Sequence, residues 1–159
     1  MSDRILVLGL GSPIISDDRI GLAVAERIEK MGLEGVDVRQ EAIGGLDMVH
    51  MVMDYDVVVV VDAIQTKAYP PGSIAVLDVE DFDPTITTSS VHDINLATAL
   101  HIGRQLEPER MPRRMYFVAI EAAELLLVSE EMTPEVEASI PEATQVVLEI
   151  IQKVRSEVQ

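Results

Sequence analysis

The sequence predicts a three-layer α/β/α fold around a mixed five-stranded sheet. Five consecutive valines, Val57 to Val61, make a run that is apolar on both faces, as in a parallel strand covered by helices. Strand-like apolar segments alternate with segments of helical period, the pattern of an α/β domain. The link after the valine run carries Pro70-Pro71-Gly72 and is too short for a crossover helix. The fourth strand is therefore expected to run antiparallel to the third.

Each element has its own signal. Arg4 to Leu8 is the first strand, closed by the turn Gly9-Leu10-Gly11-Ser12-Pro13. A helix from about Asp18 to Met31 follows, with Ile20, Val24, Ile28 and Met31 at helical spacing. Asp17 or Asp18 suits its cap and Gly32 its end. Val36 to Ile43 alternates as a second strand, and Gly44-Gly45 breaks it. A short helix, Leu46 to Met53, places Leu46, Val49, His50 and Met53 on one side, with His50 semi-buried. Asp56 to Asp62 is the third strand and Ser73 to Leu77 the fourth. Asp78 to Ser90 reads as an irregular loop. Ser90-Val91-His92-Asp93 reads as a capping box that opens a helix to about Leu106. Met115 to Ile120 is the fifth strand. Thr133 caps the last helical segment, Pro134 takes its first position, and Pro141 divides it.

Composition narrows the function. A chain of 159 residues with 48% hydrophobic content fills one domain, residues 1–159, with a full core. Aromatics at 3% and no Trp argue against stacking platforms for single-stranded nucleic acid. Net charge is −16, which repels phosphate backbones, so nucleic acid is not an expected partner. Cys is absent, so disulfides, thiolate metal sites and cysteine nucleophiles are excluded. No apolar stretch is long enough to span a membrane, and the N-terminus lacks a signal-peptide pattern. A cytoplasmic monomer is expected. Arg104, Arg110, Arg113 and Arg114 cluster around a Pro-containing loop and read as solvated side chains.

The candidate chemistry lies at strand ends. Asp62 follows five valines, where an acid is costly unless paired, hydrogen-bonded or metal-bound. In open α/β sheets that position opens on the crevice where ligands bind. Asp17-Asp18 follows the first strand, and one acid is enough to cap the helix there. His92 lies in the first turn of its helix. His101, nine positions on, faces the opposite side, so the two cannot share a metal through that helix. Two carboxylates and an imidazole from three segments suggest a metal site of O and N ligands. Glu121 closes the fifth strand as Asp62 closes the third, and its role stays open between ligand, proton acceptor and surface residue. Gly9-Leu10-Gly11 invites a dinucleotide reading, but the fingerprint fails at its third glycine, where Ile14 stands, and Asp17 and Asp18 would repel a pyrophosphate.

These blocks, in this order, resemble the hydrogenase maturation proteases, which trim the large subunit of nickel-iron hydrogenases. The first block is Ile5-Leu6-Val7-Leu8-Gly9-Leu10-Gly11-Ser12 through Asp17-Asp18-Arg19-Ile20-Gly21. The second is Val58 to Ala63, the third Ser89-Ser90-Val91-His92-Asp93-Ile94-Asn95-Leu96, and the fourth Ala119-Ile120-Glu121 with Thr133-Pro134-Glu135-Val136. Ser12 stands where the family usually has Asn, and Arg19 where it usually has Gly. Gly44-Gly45-Leu46-Asp47 matches only part of the family's glycine-rich segment. The resemblance implies a phosphorylase/hydrolase-like sheet with its fourth strand reversed at an edge. It implies Asp18, Asp62 and His92 as metal ligands and catalytic residues.

It further implies an endopeptidase that reads nickel already seated in the large-subunit precursor and then removes a C-terminal extension. Nickel belongs to the substrate, and zinc or another divalent ion suits the same Asp-Asp-His set in the isolated protein. Two roles for the metal stay open: polarising the carbonyl or activating water, or recognition alone with a carboxylate as general base. The alternative reading is a non-proteolytic nickel or zinc carrier, or a hydrogenase-docking protein, on the same fold.

Overall fold

The computed structural model describes residues 3–42, 47–78 and 91–157, with 91–97 described as helical backbone alone. In chain order the elements are β1 (Ile5–Leu10), α1 (Ile20–Lys30), β2 (Val36–Glu41), α2 (Asp47–Val52), β3 (Val57–Ile64), β4 (Ile74–Asp78), α3 (Val91–Leu106), β5 (Arg114–Glu121), α4 (Pro134–Glu137) and α5 (Ile140–Glu157). A 3₁₀ turn, Ser16–Arg19, leads into α1. The expected Gly44-Gly45 break and most of the loop before α3 fall outside the described residues.

The five strands lie in the order β2-β1-β3-β5-β4. β1, β2, β3 and β5 are parallel, and β4 runs antiparallel on β5. The reversal of the fourth strand is thus correct, but its hydrogen-bonded neighbour is β5, not β3. β5 is buried almost throughout, so it belongs in the sheet interior, where it pairs with β3 over its whole length. β4 is half exposed and fits only an edge.

Strand alternation sorts the core into two layers. Ile5, Val7, Val57, Val59, Val61, Val118 and Ile120 pack with α1 and α5. Leu6, Leu8, Val58, Val60, Phe117 and Ala119 pack with α2 and α3. The valine run is therefore divided between both faces, which is why it can be apolar without alternation.

Some local expectations shift. Met31 is 47% exposed, because α1 ends before it and it serves as the C-cap. In α2 the buried side chains are Met48, Val49, Met51 and Val52, and His50 points to solvent. The buried stripe thus differs from the expected Leu46-Val49-His50-Met53 side, sharing only Val49 with it among the described residues. Arg110, Arg113 and Arg114 stay solvent-facing as expected, and each also pairs with an acid. Arg110 forks onto Asp54 at 2.8 and 3.1 Å, Arg113 pairs with Asp3, and Arg114 reaches Asp78 and stacks on Tyr116. The Arg110 guanidinium holds the Asp54 carboxyl below its usual value.

The order of connections creates a switch point between β1 and β3. From β1 the chain steps to β2 on one side, then returns past β1 to β3 on the other. α1 seats itself on the ends of both strands. A Cβ on Gly21 would lie 2.3 Å from the Val61 carbonyl oxygen and 2.4 Å from that of Leu10. Both obstacles are backbone and cannot swing aside. Gly21→Ala is therefore expected to destabilise the fold by about 1–3 kcal/mol, as overpacked cores do, read from the urea midpoint. Retention of the wild-type midpoint would show that α1 does not sit this close.

Candidate active site at the ends of β1 and β3

Ligand crevices in open α/β sheets form where strand order reverses, beyond the carboxyl ends of the strands. Here that place is the end of β1 and β3. β3 runs on to Ile64, two residues past the expected end, so Asp62 lies inside the strand, just beyond its last pairing with β1 at Val61, and is fully buried. Its Oδ1 accepts from the Ala63 N–H at 2.8 Å. By alternation with Val58 and Val60, Asp62 lies on the α2/α3 face of the sheet. His92 opens α3 in that same layer; its side chain lies outside the described residues.

Asp18 reaches the site from the 3₁₀ turn after β1. It is partly exposed, and its Oδ2 accepts from the Ser12 N–H at 2.9 Å. Gly11, at φ +147°, makes this packing possible, since a Cβ there would lie 1.9 Å from the Asp18 carbonyl oxygen. Asp18 precedes Gly21 by one helical turn, and Gly21 abuts Val61, the residue before Asp62. Close backbone contact thus links the two candidate carboxylates.

Asp17 behaves differently from its neighbour. It is fully buried, and the expected helix-capping bond is absent, because its carboxylate turns away to a distant loop. Oδ2 accepts from the Ala123 and Glu124 N–H groups, both at 2.8 Å. Oδ1 accepts from the Thr133 N–H at 2.7 Å, and the Thr133 hydroxyl donates to both oxygens. Thr133 keeps the N-cap position of α4 but spends its hydroxyl on Asp17. These bonds satisfy a buried anion with neutral donors.

Glu121 also proves to be an organiser. It is buried, and it accepts from the Thr66 N–H at 2.8 Å, the Thr66 hydroxyl, and the Lys67 N–H at 3.3 Å. It therefore shapes the loop that follows β3. His101 is exposed on α3. Among the described residues, no group of three His, Cys, Asp or Glu side chains is arranged to hold a metal ion. The candidate set includes His92, whose side chain is not among them. The organising roles of Asp17 and Glu121 were not legible in the sequence, because their partners lie 106 to 116 and 54 to 55 positions away.

A buried acid at a switch point, with a second acid on a glycine-packed turn after β1, marks an α/β protein whose candidate site lies at the carboxyl ends of its strands. Comparison with known proteins makes the class specific. The hydrogenase maturation protease family model matches residues 14–150. The chain belongs to that family, and by membership it is an endopeptidase. The hydrogenase 2 maturation protease of Escherichia coli strain K12 is 29% identical over 148 residues, covering 91% of this chain and 88% of that protein. The solved hydrogenase maturating endopeptidase HybD from E. coli superposes with a TM-score of 0.82 at 27% identity, covering 94% and 93% of the two chains. The [NiFe] hydrogenase maturation protease HybD from Thermococcus kodakarensis shares the fold, with a TM-score of 0.77 at 21% identity over 92% and 98% of the chains.

The two adjacent acids are predicted to separate by experiment. Asp17→Ala strands several buried donors and should cost at least about 3 kcal/mol of stability. Asp18→Asn should stay within about 1 kcal/mol of the wild type, since an amide oxygen still accepts from Ser12. Chemical denaturation of both variants checks this. Equal losses would contradict the division of roles.

Proposed function

We propose that this protein removes the C-terminal extension from a nickel-iron hydrogenase large-subunit precursor, after nickel has been inserted. The observation that carries the reading is the placement of fully buried Asp62 at the switch point, linked through Gly21 to the turn that holds Asp18. Family membership supplies the substrate class.

In this reading Asp18, Asp62 and His92 receive the precursor's nickel. Two carboxylates and one imidazole suit a borderline divalent ion. Burial strengthens the electrostatic pull of Asp62 on that cation, because water screens it poorly there. Asp17 and Glu121 stay with their backbone donors and shape the loops around the crevice.

The bond is cut by water. Its oxygen adds to the scissile carbonyl, a carboxylate takes the proton, and the departing amine leaves protonated. Held by Asp18, Asp62 and His92, the precursor's nickel would fix the substrate beside the carboxylates, and when bound it would supply polarisation of the carbonyl. Cys is absent, so no thiolate competes as nucleophile.

Processing of a nickel-loaded precursor, followed by intact-mass measurement, tests the reading. The wild-type protein should release one C-terminal peptide from the loaded precursor and none from the nickel-free form. Asp62→Asn should slow cleavage by at least about a hundredfold, with the fold retained. His92→Ala should be at least as severe, because it removes the nitrogen ligand. His101→Ala should be nearly silent, since that side chain is exposed and lies nine residues beyond His92 along α3. Full activity of Asp62→Asn, or equal cleavage of nickel-free precursor, would refute the mechanism.

A further inference from the structure

Beyond β5 the chain forms a strap that holds apolar side chains out in solvent. Leu126 is 90% exposed, Val128 74% and Leu127 56%, and Ile14 beside them is 52% exposed. Chains of this charge seldom keep such a cluster without a use for it.

The strap is held by many bonds. Ser16 N–H donates to the Ser129 carbonyl at 2.9 Å, and Ser129 N–H donates to the Ile14 carbonyl at 2.9 Å. Asp17 N–H donates to the Glu124 carbonyl at 3.1 Å. The Asp17 carboxylate pins Ala123, Glu124 and Thr133, the two ends of the strap. Arg19 donates to the Glu130 carbonyl at 2.7 Å. Every one of these anchors comes from the segment that carries Asp18. The strap is therefore tied directly to the segment that carries Asp18.

We propose that this strap is the docking surface for the large-subunit precursor, taking an apolar segment flanked by lysine or arginine. The proposal rests on the processing function above and names where the substrate is gripped. Charge selects this occupant. Exposed Glu130 and Glu131 follow the apolar cluster directly in the chain, and Arg19, next to Asp18, bonds to the Glu130 carbonyl. A second copy would press two acidic rims together in a protein of net charge −16. An anionic membrane surface would be repelled for the same reason. Apolar tips with an acidic rim match an apolar segment with a basic border. Because the tips are pre-ordered by hydrogen bonds, little conformational freedom is lost on docking.

Steady-state processing of the nickel-loaded precursor tests the proposal. The triple variant Leu126→Ser, Leu127→Ser, Val128→Ser changes exposed side chains only, so the fold should hold. Its KM should rise by about tenfold or more with kcat unchanged, as loss of an anchoring cluster does. Glu130→Gln with Glu131→Gln should raise KM at low salt and converge with the wild type at high salt. Leu106→Ser should leave KM unchanged, although Leu106 is 72% exposed, because it ends α3 at the opposite end of the sheet. An unchanged KM in the triple variant, while the wild type cuts normally, overturns the docking surface and leaves the processing function standing. If the wild type leaves the precursor whole, the processing function falls. The same comparison is then made on the Kd of the uncut complex. Equal Kd values overturn the docking surface too, and a rise of about tenfold in the variant supports it.

Discussion

The arrangement depends on one close approach, the seating of α1 against the carboxyl ends of β1 and β3. A helix can come this near two strands only where side chains are missing. Gly21 lies against the carbonyls of Leu10 and Val61, and a Cβ on Gly9 would lie 2.4 Å from the Gly21 carbonyl oxygen. Gly11 lets the chain turn beneath Asp18 in the same way. Remove any of these and the turn bearing Asp18 must move away from the strand bearing Asp62. The glycines are thus what converts two strand ends into one crevice. Strand order places the candidate site at the switch point between β1 and β3.

Buried carboxylates then divide the work around it. Asp17 and Glu121 are both buried, and each is satisfied by backbone N–H groups and a threonine hydroxyl. Charge-assisted bonds of this kind stabilise a particular loop shape and remove the acid from the pool of ligands. Asp17 fixes the strap after β5, and Glu121 fixes the loop after β3. The same carboxylate bonds that shape the crevice therefore also hold the exposed leucines in place.

Much of the fold was legible because its signals are local. A valine run long enough to fill both faces marks an interior strand, and the Pro-Gly link marks a reversal. The neighbour of β4 was not legible, because pairing with β5 depends on how deeply β5 is buried. His50 escaped for a related reason: which face of a six-residue helix turns inward is set by what packs on it, here Met48, Val49, Met51 and Val52, and a broad apolar pattern does not fix that. At the site, Asp62 stood out because an acid after five valines is anomalous. The difference between Asp17 and Asp18 was hidden, since acids at a helix start look alike until the distant Thr133 and Ala123 donors are in place.

The most direct test of this account is the position of a divalent ion in the protein itself. A crystal soaked in zinc and measured at the zinc absorption edge would locate it by anomalous scattering. The account predicts one strong site bounded by Asp18, Asp62 and His92, with ligand distances of about 2.0–2.2 Å. Zinc bound instead by Asp17, Glu121, His50 or His101, or Asp18 and Asp62 held too far apart to share an ion, would contradict it.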